Sequence, residues 1–366
     1  MRILHMSSEG GWRGGEQQIA YLLQDLFDKG VQNVLAIKGN SKLADHCQEK
    51  KIPYYPVTFS NSLDAVSAWE IRRICKKEKI DLIHLHSSKA QGVGVLSALF
   101  GNKVPMVLSR RVAFSPGRNM LSRWKYNHDQ IKKILCVSER IRTIMNKYLD
   151  DGSKCVTVYS GIDLNKFSKT EPDRRFITET FQLDDNKTII ANIGAIDTSK
   201  DHITFVDTLE RVVRVGHAVQ GLIIGDGPLA NALKSYVKEK GLDHAIKFAG
   251  YRKDVGRILV SVDMFLMTSR EEGLGTSLLD AFLARIPVVA TDAGGIPEIV
   301  KDMDTGLLAP VRDAVKLSQN VIRLLNETSL RDRLIKQASV FVRNFSREET
   351  SCKTWGVYQE VLRQGI

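Results

Sequence analysis

A chain of 366 residues, 43% hydrophobic and 26% charged, is too long for one ordinary core and suits two domains, which excludes a disordered or fibrous protein. No apolar run approaches the roughly 20 residues of a membrane span. Five widely spaced cysteines (Cys47, Cys75, Cys136, Cys155, Cys352) form no disulfide framework and no zinc pattern, as expected in a reducing cytoplasm.

The elements alternate strand and helix. The opening Met1-Arg2-Ile3-Leu4-His5-Met6 has no signal-peptide character and predicts a strand over Arg2–Met6. A helix over Glu16–Lys29 follows, with Ile19, Leu22, Leu23, Leu26 and Phe27 on one face and Gly30 as its C-cap. Strands are expected at Val34–Ile37, Asp81–His86, Met106–Leu108 and Lys133–Val137, with a helix over Ala68–Lys79. The second half repeats this order: strand Thr188–Ile193, helix His202–Val215, strand Gly221–Ile224, and a helix that Pro228 starts and Lys240 ends. Strands Lys247–Ala249 and Met264–Met267, helix Thr276–Arg285 and strand Pro287–Thr291 complete the pattern. Short Val/Ile/Leu runs between helices indicate parallel sheets covered on both faces. The reading is α/β: two doubly wound Rossmann-like domains facing a central cleft, with ligands at the carboxyl ends of the strands. Domains are expected at 1–168 and 169–345, joined through polar Ser168–Arg175, with a C-terminal helix over 346–366 packing back on the first domain.

The charge is uneven. Residues 1–168 carry 26 Lys and Arg against 15 Asp and Glu, which accounts for the whole net charge of +11. Lys103–Lys147 alone holds eleven basic residues against Asp129 and Glu139. Such a field attracts anionic surfaces, phosphorylated substrates or nucleic acid. Within it Phe114, Met120, Leu121, Trp124 and Tyr126 mix with Arg118, Arg123 and Lys125, a composition that fits either a membrane interface or an ordinary helix with buried aromatics. No helix-turn-helix, zinc or RNA-recognition motif accompanies the charge, which argues against nucleic acid.

Two loops have the composition of ligand sites. Ser7–Glu16 places four glycines, Gly10, Gly11, Gly14 and Gly15, between a strand and a helix start, where free N–H groups suit a phosphate or a polar acceptor. The spacing is not a dinucleotide fingerprint, and Gly225-Asp226-Gly227-Pro228 is only a tight turn. In Ser269–Glu298, Arg270, Glu271 and Glu272 are expected to end a strand. Gly273, Leu274 and Gly275 then form a close-approach turn, and Thr276 and Ser277 open a helix carrying Asp280. Two carboxylates eight positions apart can bracket a ligand whose phosphates sit at that helix start. The spacing also fits an Asp280 that merely faces solvent. His84 and His86 suit a cleft or a core equally.

These segments resemble the retaining glycosyltransferases of family 4, which have the GT-B fold. The family's Glu-x7-Glu stretch corresponds to Glu272-Gly273 through Asp280-Ala281, followed by Ile286-Pro287-Val288-Val289-Ala290-Thr291. Gly294-Gly295-Ile296-Pro297-Glu298, Thr305-Gly306-Leu307-Leu308, Tyr159–Phe167, Ile224–Leu229 and Phe248-Ala249-Gly250-Tyr251 match further segments in order. The resemblance implies an enzyme, a hexosyl- or related transferase that moves a sugar from a nucleotide-sugar donor to a glycan or lipid-linked acceptor in cell-envelope synthesis. It implies that Glu272 contacts the transferred sugar, that Lys200 lies on the diphosphate, and that Asp280 replaces the glutamate on the ribose. Gly250, Tyr251 and Arg252 would lie beside the base, and Gly14 and Gly15 near the phosphates and acceptor.

Three departures stand out. Ala195 replaces the arginine usual after the glycine at Gly194, which leaves a cation to be supplied by a residue such as Arg270. Asp280 is one methylene shorter than glutamate. Arg110-Arg111 stand where the family often has a histidine near the sugar, so Arg110 is counted with Glu272 and Lys200 as catalytic. No metal and no other cofactor is expected, because lysine, arginine and helix N–H groups can stabilise the leaving diphosphate, and Asp302-Met303-Asp304 sits in a turn far from it. The expected location is cytoplasmic, peripheral on the inner face of the membrane through Lys103–Lys147. Other GT-B enzymes, a nucleotide-sugar epimerase or a phosphorylase, are the alternatives.

Overall fold

The structure is a computed structural model describing residues 1–117 and 119–363. It divides into two compact units, Met1–Gly161 with Arg347–Ile366, and Ile162–Ser346.

The first unit contains β1 (Arg2–Ser7), α1 (Gly14–Phe27), β2 (Gln32–Ile37), α2 (Lys42–Glu49), β3 (Tyr54–Pro56), α3 (Ala65–Glu78), β4 (Leu82–Leu85) and α4 (Ser88–Ser97). It continues with β5 (Met106–Arg110), α5 (Met120–Asn127), β6 (Ile131–Cys136), α6 (Glu139–Tyr148) and β7 (Cys155–Thr157). The strands form one sheet in the order β3-β2-β1-β4-β5-β6-β7, and each neighbouring pair runs parallel. The order reverses between β1 and β4, the place where ligands of doubly wound sheets bind. Ser8 and Ser87, just beyond these two strands, share a 2.7 Å hydroxyl–hydroxyl hydrogen bond.

The chain's last helix, Arg347–Arg363, returns to this unit. Val357, Tyr358 and Val361 pack with Leu22 and Leu26 of α1 over Ile3, Leu82, Val107, Leu135 and Val158 of the sheet. Each such apolar side chain contributes about 1.5–3 kcal/mol by leaving water. α1 ends two residues earlier than its apolar stripe predicts. Gly30 takes a left-handed φ of 73°, and the Val31 amide donates back to the Leu26 carbonyl at 3.0 Å, which closes the helix.

The second unit contains α7 (Arg174–Phe181), β8 (Thr188–Ile193), α8 (His202–Arg214), β9 (Val219–Ile224), α9 (Ala230–Glu239), β10 (Ile246–Gly250) and α10 (Val255–Leu259). It continues with β11 (Met264–Met267), α11 (Thr276–Leu283), β12 (Val288–Thr291), α12 (Ile296–Ile299), β13 (Leu307–Ala309), α13 (Ala314–Asn326) and α14 (Thr328–Phe341). Its sheet runs β10-β9-β8-β11-β12-β13, again parallel in its pairings, with the reversal between β8 and β11. Phe205, Leu209, Ile223, Leu266, Val289 and Leu317 belong to the core on one face.

Two local expectations need correction. Pro228 does not start α9. The Leu229 amide donates to the Ile196 carbonyl at 3.1 Å, which pins Gly227–Leu229 as a turn and delays the helix to Ala230. Arg270, Glu271 and Glu272 do not end a strand: β11 stops at Met267, and the Arg270 amide turns away to the Ser199 carbonyl at 2.7 Å.

The return of the last helix is testable. The Tyr358 hydroxyl lies 2.5 Å from His84 Nδ1, and both side chains are buried. Tyr358→Phe leaves that nitrogen without its partner, at a cost of about 1–3 kcal/mol. Calorimetry is expected to show earlier melting of the first unit while the second is unchanged.

Candidate active site

Of the candidates in the second unit, Lys200 and Glu272 lie at its switch point, whereas Gly250, Tyr251 and Arg252 lie at the end of the outer strand β10. Lys200 follows β8, and Glu272 lies in the loop after β11. Hydrogen bonds tie these loops: the Arg270 and Glu271 amides donate to the Ser199 carbonyl at 2.7 and 3.3 Å, and the Thr268 hydroxyl donates to the carbonyls of Lys200 at 3.3 Å and Asp201 at 3.0 Å. Lys200 forms an ion pair with Glu272, and the Ser269 hydroxyl donates to the same carboxylate at 3.3 Å.

Glycines hold the Glu272 loop where it is. A Cβ on Gly294 would stand 2.0 Å from the Glu272 carbonyl oxygen, and one on Gly295 2.3 Å from that of Gly273. Both are impossible contacts, so the loop after β12 can cross Glu272-Gly273 only as bare backbone. The Gly295 amide donates to the Glu272 carbonyl at 3.0 Å. Gly275, at φ 92°, caps α11 and has no side chain to satisfy the helix N–H groups. The first turn of α11, Thr276 and Ser277, therefore keeps donors for a ligand. Leu274 is buried beneath them.

Asp280 lies one turn further along α11 and does not face solvent. Lys166 Nζ lies 2.7 Å from its Oδ2, while Oδ1 is sealed from water without a partner. Burial raises its pKa above the ordinary 3.8, and Lys166 opposes that shift. Lys166 is the residue that sequence reasoning passed over. It stood inside the Tyr159–Phe167 match, but nothing in its spacing connected it to a position more than a hundred residues away.

The other candidates of this unit differ in their freedom. Arg270 is exposed. Arg252 is held by Asp254 through two bonds of 2.8 and 2.6 Å. Tyr251 is 61% exposed, and Gly250 accepts from the Gly225 amide at 2.9 Å. Asp302 Oδ1 accepts the Leu308 amide at 2.9 Å, so the Asp302-Met303-Asp304 turn is fastened by its own backbone.

In the first unit Gly14 and Gly15 open α1. The Glu16 carboxylate accepts the Arg13 amide at 3.0 Å, and its pKa is raised by burial. Arg110 is not a solvated rim residue. It is buried, donates to the Tyr126 hydroxyl at 2.9 Å and the Phe114 carbonyl at 2.5 Å, and faces the Phe114 ring. That geometry clamps the segment after β5. Tyr126 and Lys125 are likewise buried, whereas Phe114, Met120 and Leu121 are exposed. Arg118 lies outside the described residues.

His84 and His86 prove to be buried with His5, and one ligand atom of each lies within 4.8 Å of the others, close enough to hold a metal ion. Their hydrogen bonds define another role. Asn33 donates its amide to the Leu23 carbonyl at 3.2 Å, so its Oδ1 accepts from His5 Nε2 at 3.1 Å. Burial lowers the His5 pKa to about 4, so the neutral ring has a lone pair on Nδ1. His86 Nε2 then donates to it across 3.1 Å, and His86 Nδ1 is left without a partner.

Comparisons with known proteins identify the family and the fold. Residues 12–166 match the family described as Glycosyltransferase Family 4, and residues 173–340 match Glycosyl transferases group 1. N-acetyl-alpha-D-glucosaminyl L-malate synthase of Bacillus anthracis is 24% identical over 324 residues, 86% of this chain and 84% of that protein. UDP-Gal:alpha-D-GlcNAc-diphosphoundecaprenol alpha-1,3-galactosyltransferase of Escherichia coli is 23% identical over 330 residues, again 86% and 84%. The crystal structure of Anabaena Alr3699/HepE with UDP and glucose superposes with a TM-score of 0.87 at 18% identity, covering 98% of this chain and 100% of that one. No helix among the described residues is long and apolar enough to cross a membrane. With both halves matched in order on two parallel-sheet units, the chain belongs to the glycosyltransferases of the GT-B fold, family 4-like in sequence.

Proposed function

We propose that the second unit binds a nucleotide-sugar donor and that the enzyme transfers its sugar, with retention of anomeric configuration, to a glycan or lipid-linked acceptor of the cell envelope. The observation that carries this reading is the pair of lysine-neutralised carboxylates, Glu272 and Asp280, on either side of the uncapped start of α11. Similar proteins support it: the Anabaena structure contains UDP and glucose, and the Escherichia coli relative is named for a diphosphoundecaprenol-linked acceptor.

In this reading the first-turn amides of α11 and Lys200 take the diphosphate, whose negative charge grows as the sugar's bond to it breaks. Glu272 orients the transferred sugar, and Asp280 Oδ1 accepts a ribose hydroxyl. Exposed Arg270 supplies the cation that Ala195 does not. These groups stabilise the leaving group without a metal. The protein works in the cytoplasm, and the exposed Phe114, Met120 and Leu121 within the basic Lys103–Lys147 segment rest on an anionic membrane surface.

Three outcomes test this. Glu272→Gln and Lys200→Ala are expected to cut transfer from UDP-sugars by about 10²–10³ each, the scale of a lost charge-stabilising contact. Near-normal turnover in both removes the site assignment. Because Asp280 is the stronger acceptor when ionised, donor affinity is expected to fall on acidification through its raised pKa, at higher pH than an ordinary carboxylate of pKa 3.8 requires. Calorimetric titration with UDP measures this, and Asp280→Asn is expected to bind weakly with a flat pH profile. For the membrane, low-salt co-sedimentation is expected with anionic but not neutral vesicles, and equal recovery with both rejects docking.

A further inference from the structure

The first unit contains a guanidinium that forms no ion pair among the described residues. Arg111 follows β5, and its Nε is sealed from solvent without a hydrogen-bond partner. Among the described residues no ion pair involves it; Glu16 and the Tyr358 ring act on it only through space. Burial pulls its pKa down to about 10.

The carboxylates nearby are committed elsewhere. Glu16 accepts the Arg13 amide. Asp25 accepts the Ser351 hydroxyl at 2.6 Å and pairs with Arg347 at 3.6 Å. Burial keeps His84 and His86 neutral, an effect the Arg111 charge reinforces. A buried cation normally has a partner, because leaving it bare costs several kcal/mol.

Arg111 lines a cavity whose other walls include Gln18, Ser109, Ser160, Thr350 and Arg347. The lining is rich in hydrogen-bonding groups and contains no carboxylate. About 20 Å³ is open to the centres of water-sized atoms, which accommodates one oxyanion group and not a sugar ring. Gly15 borders the same guanidinium: a Cβ there would lie 3.7 Å from Arg111 Cδ.

The geometry points to Arg111 as the counter-charge for a carboxylate or phosphate group on the acceptor, held in this cavity of the first unit. This rests on the transferase reading above and adds the substrate class: the acceptor is an anion. Arg110, its neighbour, is spent on Tyr126 and Phe114, so of the two adjacent arginines Arg111 is the one left to hold an anion.

The test uses inorganic phosphate and acetate as probes, at constant ionic strength with chloride as control. Either probe is expected to raise the melting temperature of the wild-type chain, and the better one identifies the oxyanion. Arg111→Gln is expected to abolish that shift, with Arg111→Lys retaining part of it. The unliganded Arg111→Gln chain should melt no lower than wild type, because it loses an unpaired buried charge.

With a UDP-sugar donor, methyl glucuronide and glucose 6-phosphate are then compared with methyl glucoside. At least a tenfold higher kcat/KM is expected for an anionic member, lost in Arg111→Gln and partly recovered in Arg111→Lys. Equal use of charged and neutral acceptors overturns the inference, as does an Arg111→Gln chain that melts early and keeps the anion response. UDP titration of the wild-type chain separates the two claims. UDP binding without any anion response sinks only the acceptor inference, whereas failure to bind UDP sinks the donor reading.

Discussion

A carboxylate removed from water needs a cation or a set of donors, and the second unit meets that requirement twice within one loop and one helix. Lys200 neutralises Glu272, and Lys166 neutralises Asp280. Neither pair forms by local chain geometry: Lys200 meets Glu272 because the parallel sheet brings the loops after β8 and β11 to one end, and Lys166 reaches Asp280 from the segment ahead of α7. The glycines complete the arrangement. Gly294 and Gly295 press bare backbone onto Glu272 and Gly273, which fixes the height of the Glu272 loop above the start of α11. A methyl group at either position displaces the carboxylate and with it the lysine.

The first unit has the same topology and the opposite electrostatics. Its switch-point loops end in Ser8 and Ser87, joined through their hydroxyls. The buried titratable groups of this unit include three neutral imidazoles, the Glu16 carboxylate and the Arg111 guanidinium. Burial, which raises the pKa of Asp280 and Glu16, lowers those of His5, His84 and His86. The result is one unit whose site carboxylates are paired with lysines and another whose Arg111 has no ion-pair partner, although both use one strand order. Fold alone therefore says little about which ligand each sheet end receives.

Strand and helix order were readable because buried parallel strands are short runs of Val, Ile and Leu bounded by polar turns, as in Thr188–Ile193 and Met264–Met267. The three-residue strands β3, β7 and β13 escaped notice. Tyr54–Pro56 and Cys155–Thr157 carry no apolar run, and their pairing is decided by the neighbouring strand. Glu272, Lys200 and Asp280 stood out through the family pattern, whereas Lys166 had no local signal and emerged only through its ion pair. The adjacent arginines were legible as a pair but not as individuals. A strand's side chains alternate faces, so Arg110 enters the packing around Tyr126 while Arg111, just past the strand end, reaches the polar cavity.

The two lysine–carboxylate pairs constrain what can bind in the proposed donor site. A ligand that takes only the lysines, such as a bare phosphate, strands Glu272 and Asp280 as part-buried anions. A free sugar, which offers hydroxyl donors to the carboxylates, leaves Lys200 and Lys166 without acceptors. Either loss leaves charges without partners, at a cost that is larger for the part-buried carboxylates than for the more exposed Lys166. A nucleotide sugar presents hydroxyls and a diphosphate in one molecule, so lysines and carboxylates can exchange partners together with every charge still satisfied. The shorter Asp280 fits this exchange: Lys166 already spans to it at 2.7 Å on one oxygen, and the other oxygen, sealed and unpartnered, is the one that lacks only a donor.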